Sequence, residues 1–261
     1  MCLSFCFHSY LPSTQTLIPL KGDVIPLKLS NILYPVRCPI CEKLPPSGLS
    51  ICPKCYQSIA FVEQPYCYSC GKPLSEQEEE YCFDCIRHPK SFTAGYALAV
   101  YNQTTKSSLA AIKYHNRRQF LNFYAEETLR VYGSLFSSLH FDAILPVPIH
   151  KKRRRKRGFN QAALFARQIG KALHIPVYES VLIRKINTLP QKNLSPEKRL
   201  ENLQQAFALH PELGGYVPFD CVLLVDDIYT TGATMEALTR LLKEAGAKKV
   251  YLFSICIGNG F

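Results

Sequence analysis

One stretch decides the fold of this chain, and it reads Cys221-Val222-Leu223-Leu224-Val225-Asp226-Asp227-Ile228-Tyr229-Thr230-Thr231-Gly232-Ala233-Thr234. Its first five residues are all apolar, which is expected of a strand that is buried on both faces. After Thr234, apolar side chains recur at spacings of three and four and Gly246 follows them, which predicts an amphipathic helix and its end. Parallel strands bind ligands beyond their carboxyl ends, so the residues between this strand and this helix form a candidate site.

The loop after the strand has the chemistry of a phosphate site. The first turn of a helix has free backbone N–H groups and the positive end of the helix dipole, and both attract an anion. Gly232 lets the backbone close around a phosphate with no side chain in the way, and the threonine hydroxyls add donors. The predicted phosphate-binding residues are Thr230, Thr231, Gly232, Ala233 and Thr234.

Two acids stand between the strand and this loop. Asp226 and Asp227 would repel a phosphate, so we expect them to accept hydrogen bonds from sugar hydroxyls or to help hold Mg²⁺. Asp-Asp and Thr-Gly are each ordinary turn or cap residues when they occur alone. In this order, on a buried strand and before an amphipathic helix, they resemble the PRPP-binding motif of type I phosphoribosyltransferases. The resemblance implies a site for a ribose 5-phosphate such as that of PRPP, with the two acids as its catalytic residues.

The chain divides into three regions by composition. Residues 1–26 are predicted to be an irregular leader without a motif, residues 27–92 carry paired cysteines, and strand-like and helical runs alternate over residues 93–261. This alternation predicts an α/β domain with a parallel sheet flanked by helices. We expect one long helix over Lys106–Tyr132 and another around Phe165. The strand candidates are Ala94–Tyr101, Phe141–Val147, Val177–Ile183, Cys221–Val225 and Val250–Ile257.

Eight of the twelve cysteines form four Cys-x-x-Cys pairs: Cys38/Cys41, Cys52/Cys55, Cys67/Cys70 and Cys82/Cys85. Zinc prefers four tetrahedral thiolate or imidazole ligands, and each such pair supplies two of them. We therefore predict two structural Cys₄ zinc sites in a double zinc ribbon, with the first two pairs around one ion and the last two around the other. A crossed grouping stays open. Redox pairs and disulfides fit less well, because four evenly spaced pairs lie in a segment too small for its own core.

The overall composition favours anionic partners. The chain has 261 residues, of which 47% are apolar, and its formal net charge is +11. A positive field concentrates phosphates or nucleic acid without distinguishing between them. No segment approaches the roughly 20 apolar residues that span a bilayer, and the first residues lack the basic start of a signal peptide. Together with metal-type cysteines, this predicts a cytoplasmic protein without a membrane span.

Three further segments narrow the family. The first runs from Leu145-Pro146-Val147-Pro148 through the basic run Lys151–Arg157 to Gly158-Phe159-Asn160-Gln161. The second is Arg184–Ser195 with the Arg199, Asn202 and Ala206-Phe207 that follow it, and the third is the cysteine-rich start. In this order, and before the phosphate loop, they resemble the ComF family over nearly the whole chain. The resemblance implies a type I phosphoribosyltransferase fold behind a zinc domain, and an association with the DNA-uptake machinery and natural transformation.

The resemblance also implies roles for two loops. A pyrophosphate loop is expected at Arg157, Gly158, Asn160 and Gln161, where the fork-shaped guanidinium of the arginine matches two phosphate oxygens. The segment 188–199 falls where related transferases have a mobile lid, and within it the candidate residues are Gln191, Lys192 and Arg199. An exposed polar loop without chemistry is the alternative for this segment.

Two basic segments predict contact with single-stranded DNA. Seven consecutive basic residues form Lys151–Arg157, and basic and aromatic residues alternate in Lys113–Arg118. Such groups neutralise phosphates and stack on bases, although a solvated surface is the alternative for both. Three functions follow: a DNA-uptake factor with a PRPP-type pocket, an active transferase that uses PRPP with Mg²⁺ and a nitrogenous acceptor, and a PRPP sensor without turnover.

Overall fold

Parallel strands form the main sheet, as the alternation of apolar and helical runs predicts. The computed structural model describes residues 35–76, 78–186 and 202–258. The strands are β1 (Ala94–Val100), β2 (Ala143–Pro146), β3 (Leu182–Arg184), β4 (Phe207–Leu209), β5 (Cys221–Tyr229) and β6 (Lys249–Ile257). Strands β1, β6, β5 and β2 lie side by side in that order, all parallel, and β3 and β4 pair antiparallel in a separate sheet. This is the sheet of a phosphoribosyltransferase-type α/β fold.

Helices cover both faces of the main sheet. They are α1 (Pro53–Gln57), α2 (Phe83–Arg87), α3 (Gln103–Tyr114), α4 (Phe120–Ser138), α5 (Lys151–Arg157), α6 (Gln161–Leu173) and α7 (Ala233–Glu244). A 3₁₀ turn spans Pro211–Leu213, and residues 202–206 are also helical. Among the helices of the described ranges, none has the length and apolarity that crossing a bilayer requires.

The core lies in two layers because the side chains of β5 alternate between the faces of the sheet. Leu223 and Val225 pack with residues of α4 and α6 in one cluster, and Val222 and Leu224 pack with residues of α7 in the other. All four side chains are fully buried. The uniformly apolar run at 221–225 therefore reflects burial on both faces, and it places the end of β5 in the middle of the sheet.

The structure corrects the bounds of β5. The strand continues through both acids to Tyr229, and Asp226 lies beside Ser254 of β6 while Ile228 lies beside Cys256. Aspartate is disfavoured in strands, but the neighbouring β6 supplies a partner for the ladder at this point. The acids are therefore held by the sheet, and the loop that precedes α7 contains only residues 230–232.

The prediction of one long helix over Lys106–Tyr132 is wrong. The helix begins earlier, at a capping box in which the Asn102 side chain accepts a hydrogen bond from the Thr105 amide (3.2 Å), and it ends at Tyr114. A second helix begins at Phe120. Between them Asn116 has a φ of +57°, a left-handed conformation that asparagine tolerates better than most residues, so the chain turns there.

The prediction of one continuous strand over Val177–Ile183 is also wrong. Val177 forms an isolated parallel bridge with Ile144 of β2, and β3 begins only at Leu182, where it pairs with β4. The segment thus leaves the main sheet after one bridge. The predicted lid at 188–199 lies outside the described residues.

The cysteine-bearing segment packs along the free edge of β1. The Val62 amide donates to the Leu98 carbonyl (3.0 Å), and the Val100 amide donates to the Ala60 carbonyl (2.8 Å). These bonds satisfy backbone groups that an open sheet edge would leave unpaired. Val36–Phe261 accordingly forms one compact unit. The predicted domain boundary between residues 92 and 93 stays a prediction.

Candidate functional site

The predicted phosphate loop precedes a helix whose N-terminus has no side-chain cap. Helix α7 begins at Ala233, and its N-cap residue Gly232 has a φ of +75° and offers no side-chain acceptor to the first-turn amides. Helices α3 and α6, by contrast, are capped by the side chains of Asn102 and Asn160. Uncapped amides at the positive end of a helix of this length suit an anion. The side chains of Thr230 and Thr231 lie exposed beside them.

Gly232 is fixed by the residue beneath it. A Cβ at this position would lie 2.1 Å from the hydroxyl oxygen of Tyr229, which is too close for two non-bonded atoms. Tyr229 is itself only 4% exposed, and burial followed by the charge of the Cys67, Cys70, Cys82 and Cys85 thiolates raises its pKa. The loop therefore rests on a buried tyrosine that lies close to the second group of cysteines.

Asp227 lies in an ion pair at the carboxyl end of β5. The Lys113 ammonium contacts its Oδ2 atom, and the Gln161 side chain lies close enough to help lower the pKa of the same carboxylate. Burial raises the pKa of Asp227, but the Lys113 charge and the neighbouring side chains outweigh burial and hold that pKa below its usual value. The carboxylate of Asp227 is therefore charged although it is almost completely buried.

Asp226 has the opposite electrostatic environment. Burial, followed by the charge of neighbouring Asp227, raises the pKa of Asp226 well above its usual range. Its Oδ1 atom accepts a hydrogen bond from the Asp227 amide at 2.8 Å. The two adjacent acids thus differ in their affinity for a proton, because Lys113 neutralises only one of them.

This arrangement favours one of the two roles predicted for the acids. Mg²⁺ requires near-octahedral oxygen ligands, and at Asp227 it would have to share an oxygen with the Lys113 ammonium. The carboxylates have the right donor chemistry, but the cation already present makes Asp227 a poor ligand for Mg²⁺. Accepting hydrogen bonds from sugar hydroxyls is compatible with both side chains.

The residues of the predicted pyrophosphate loop lie next to these acids. Arg157 is the last residue of α5, and Gly158 ends that helix with a φ of +82°. Asn160 caps α6 by accepting from the Ala162 amide (3.1 Å), while its amide group donates to the Val147 carbonyl (2.9 Å). The Gln161 carbonyl oxygen accepts a hydrogen bond from Arg157. A continuous chain of contacts therefore runs from Arg157 through Gln161 and Asp227 to Lys113.

Sequence reasoning missed Lys113 as part of this site and assigned it to a DNA-contacting segment. No local signal identifies it, because its partner is distant in sequence. The next residues do form a basic corner, which we define as Tyr114, Arg118, Arg157 and Phe159. The Arg157 guanidinium lies over the Tyr114 ring (5.5 Å to the centroid), and Arg118 lies over Phe159 (4.3 Å). Tyr114 is 71% exposed.

The run of seven basic residues is a short helix rather than a loop. Helix α5 is capped at its start by His150 and ended by Gly158, and residues 151–156 are all exposed. Arg157 alone turns partly inward, toward Gln161. The basic surface of α5 thus continues from solvent to the edge of the candidate site.

The cysteines form two clusters with the sequential grouping that we favoured. The first cluster is Cys38, Cys41, Cys52 and Cys55, the second is Cys67, Cys70, Cys82 and Cys85, and within each the sulfur atoms lie within 4.8 Å of one another. Two sulfur pairs are 3.8 Å and 3.6 Å apart, close to the edge of about 3.8 Å in a tetrahedron with zinc–sulfur bonds of ~2.3 Å. All eight are free thiols. Both clusters fit structural zinc, which would be held by four protein ligands in a closed site.

Comparisons with known protein families match both the cysteine-bearing segment and the α/β domain. A model of the double zinc ribbon domain matches residues 29–86, and a model of the phosphoribosyl transferase domain matches residues 160–259. A structure of adenine phosphoribosyltransferase aligns with 59% of this chain and 76% of its own chain, at 16% sequence identity and a TM-score of 0.34. The fold assignment rests on the sheet topology and the family model.

Several curated proteins are similar in sequence. Competence protein F of Haemophilus influenzae is 35% identical over 44% of this chain and 49% of its own length. Competence protein ComFC of Bacillus subtilis is 30% identical over 56% of each chain. DNA utilization protein YhgH of Salmonella typhimurium is 26% identical over 84% of this chain and 89% of its own. The matched segments span about half the length of the first two relatives.

Proposed function

We propose that this chain, as a ComF family protein, binds a ribose 5-phosphate such as that of PRPP and acts in DNA uptake through contact with single-stranded DNA. The phosphate would lie at Thr230–Thr234, and Asp226 and Asp227 would accept hydrogen bonds from the ribose hydroxyls. Mg²⁺ would accompany PRPP on its pyrophosphate group. Two observations support the proposal on DNA uptake: the names of the similar proteins and the basic surface of this chain.

One observation carries the phosphate site. The first-turn amides of α7 have no side-chain cap, and the N-cap residue Gly232, in a left-handed conformation, lies five residues after Asp227 of β5. A ribose phosphate has an anion at one end and hydroxyl donors next to it, so it matches amides followed by carboxylates. The contact chain from Asp227 to Arg157 supports placement of the pyrophosphate group beyond the acids.

Thermal unfolding of the zinc-loaded protein tests this site. We expect millimolar PRPP to raise the melting temperature, because a ligand that binds only the folded state stabilises it. The double variant Asp226→Asn and Thr231→Val should lose this shift while it keeps the Lys113–Asp227 pair. Ser107→Ala, which removes an exposed hydroxyl on α3, is the control and should respond like the wild type. Wild-type protein that does not respond to PRPP would contradict the proposal.

The proposed contact with single-stranded DNA rests on α5 and the basic corner. The exposed ring of Tyr114 offers a surface for base stacking, and Arg157 and Arg118 lie beside it with charges for phosphates. We expect binding to weaken with salt, with about 0.7 units of slope for each phosphate neutralised on a single strand. Such a slope would distinguish a phosphate-dominated interface from an apolar one.

Fluorescence anisotropy with a labelled oligonucleotide measures this slope. A triple alanine variant on α5 should weaken binding and flatten the slope; its substitutions are Lys152→Ala, Arg154→Ala and Lys156→Ala. A control with the same change of charge removes three exposed lysines elsewhere: Lys54→Ala, Lys171→Ala and Lys243→Ala. An equal loss in both variants would mean that only net charge matters, and the proposed interface would fail.

Turnover is a second candidate function, supported by the chain of contacts that joins Arg157 to Asp227. An active transferase would release pyrophosphate from PRPP when a nitrogenous acceptor attacks the ribose. A pyrophosphate-release assay with Mg²⁺ and a panel of nucleobases and amines tests this function. Binding of PRPP without pyrophosphate release would identify a sensor instead. If pyrophosphate is released, the first residues to vary in the active enzyme would be the predicted lid residues Gln191, Lys192 and Arg199.

A further inference from the structure

The Lys113–Asp227 pair has a consequence for the ligand site. We propose that the Lys113 ammonium takes the place of a divalent cation beside Asp227, so that a ribose 5-phosphate binds at the acids of β5 without Mg²⁺. The inference deepens the proposed function and rests on it. Lys113 becomes a positioning residue that sets the charge and the orientation of a carboxylate facing the sugar.

The ion pair places a protein cation on the Asp227 oxygen Oδ2, where a metal would otherwise bind. The Lys113 side chain is 16% exposed and that of Asp227 is 7% exposed, so both charges are largely withdrawn from water. The ammonium contacts Oδ2 of the buried carboxylate. A Mg²⁺ ion with its water ligands would have to displace the ammonium and bring a second, larger positive charge to the same oxygen.

Electrostatic balance points in the same direction. A buried carboxylate without a partner is strongly unfavourable, and the lysine compensates its charge within the protein. Where two acids follow one another, a nearby cation offsets the repulsion between their carboxylates. Lys113, in the last turn of α3, provides this positive charge. An ammonium has three N–H donors, so two remain for oxygen atoms other than that of Asp227.

The position of Lys113 also connects this carboxylate to the predicted pyrophosphate loop. The Gln161 side chain helps to lower the pKa of Asp227, and its carbonyl oxygen accepts a hydrogen bond from Arg157. Tyr114, the residue after Lys113, lies under the Arg157 guanidinium. The end of α3 therefore contacts the chain from Arg157 to Asp227 at both of its ends, and a protein cation holds the arrangement in place of a metal.

The test uses ribose 5-phosphate as the probe, because it lacks the pyrophosphate group that binds Mg²⁺ by itself. Calorimetric titration compares magnesium-free buffer with millimolar Mg²⁺, and it avoids chelators because they would attack the zinc sites. For the wild type, we expect the dissociation constant to change by less than about twofold, and for Lys113→Met we expect at least about tenfold weaker binding without Mg²⁺, the loss of one charge-assisted contact. Added Mg²⁺ should restore part of that affinity.

Two controls separate charge from packing. Lys106→Met lies on the same helix with an exposed side chain and should bind like the wild type. Lys113→Arg keeps the positive charge, so it should retain binding that is independent of Mg²⁺ even if its affinity falls. If Lys113→Met does not fold, Lys113→Arg and the wild type still decide the question.

Several results would overturn the inference. It fails if wild-type protein needs Mg²⁺ to bind ribose 5-phosphate, or if Lys113→Met binds in magnesium-free buffer as tightly as the wild type. If ribose 5-phosphate does not bind under any condition, the proposed function fails. A titration of Mg²⁺ alone then tests whether Lys113 takes the place of a divalent cation. Its role predicts that Lys113→Met binds Mg²⁺ at the acids more tightly than the wild type, and equal binding would exclude it.

Discussion

The two cysteine clusters have the same four ligands and differ by one residue in the spacing between their pairs, but they contact different parts of the molecule. The first cluster packs against the helical layer, where the Tyr56 hydroxyl donates to Glu127 of α4 (3.1 Å) and Arg117 pairs with Glu42 (2.9 Å). The second cluster packs against the sheet. A Cβ on Gly71 would lie 2.6 Å from the Gly95 carbonyl of β1, so this turn touches the strand backbone.

The second cluster also lies close to the phosphate loop. Its thiolates influence Tyr229, which supports Gly232, and Ser91 just after it donates two hydrogen bonds to Glu236 in the first turn of α7. The first cluster contacts α4 and the α3–α4 turn through partly exposed polar side chains, and Cys38 and Ile51 are buried in the core cluster that includes Phe123 of α4. We therefore expect two closely similar metal motifs to have unequal effects, because the effect depends on which contacts the metal holds in place.

The largest expected effect is the loss of a thiolate from the second cluster. Cys67→Ser should lower the free energy of unfolding by at least about 3 kcal/mol, a fraction of the ~10–16 kcal/mol that zinc contributes in zinc-finger peptides. It should also abolish the thermal shift with PRPP. Cys41→Ser, in the more exposed first cluster, should lose zinc with a smaller destabilisation and keep the shift. Zinc content and denaturant unfolding measure both variants, and an equal loss of the PRPP shift would remove the distinction.

The contact between Gly232 and Tyr229 gives the next effect. Gly232→Ala should lower the free energy of unfolding by about 2–4 kcal/mol, because the new Cβ meets the tyrosine and the left-handed conformation disfavours it. Gly215→Ala is the matched control: its φ is +85° and no atom lies within 4 Å of the added Cβ, so only about 1–2 kcal/mol is expected. If the two variants unfold alike, Tyr229 does not support the loop.

Glu236 provides a smaller and pH-dependent effect. Burial raises its pKa, but hydrogen bonds from Ser91 and the charge of Arg240 outweigh burial and lower that pKa below its usual value. The ionised side chain therefore stabilises the fold above the unfolded-state pKa of about 4.3, and this contribution is lost as pH falls through the lower folded-state pKa.

Glu236→Gln should accordingly cost about 1–2 kcal/mol at neutral pH. The difference from the wild type should shrink below about pH 4, where the wild-type side chain also becomes neutral. Denaturant unfolding across this pH range measures it, with Glu244→Gln on the exposed end of α7 as the control. A difference that does not vary with pH would mean that packing, rather than charge, accounts for the effect.

The smallest effect is expected at the first cluster. Glu42→Gln breaks the ion pair with Arg117, but both side chains are about 40% exposed, so water and salt screen their attraction. We expect a change of less than about 0.5 kcal/mol, which should vanish at high salt. Glu63→Gln, another exposed position, serves as the reference in the same denaturant titration. A loss above about 1.5 kcal/mol would show that the first cluster is anchored as firmly as the second.

Prediction from sequence worked best where the pattern is local. The apolar run at 221–225 and the one at 250–257 identified β5 and β6, because a strand that is buried on both faces needs no polar residues. It failed at Asn116, where helix-compatible residues continue on both sides of a turn. It also ended β5 too early, since the low strand propensity of Asp226 and Asp227 gave no sign that β6 pairs with them.

The candidate site shows the same limit. The order of acids, threonines and glycine predicts a phosphate loop before α7, which stays a prediction, and the spacing of the cysteines was sufficient to predict the two groups of four thiols. Lys113 was assigned to a different surface, because nothing near it in the sequence indicates that it meets Asp227. The pairing arises from the packing of α3 beside the end of β5.

Local sequence patterns were thus sufficient to predict a parallel sheet and two groups of four cysteines, and they also predict a phosphate loop after β5. These features follow from periodicity and ligand spacing, which depend on neighbouring residues. The proximity of the second cluster to the predicted phosphate loop and the pairing of Lys113 with Asp227 became visible from the packed structure. Both depend on contacts between distant segments, and such contacts are selected by the packing of the whole core rather than by any local pattern.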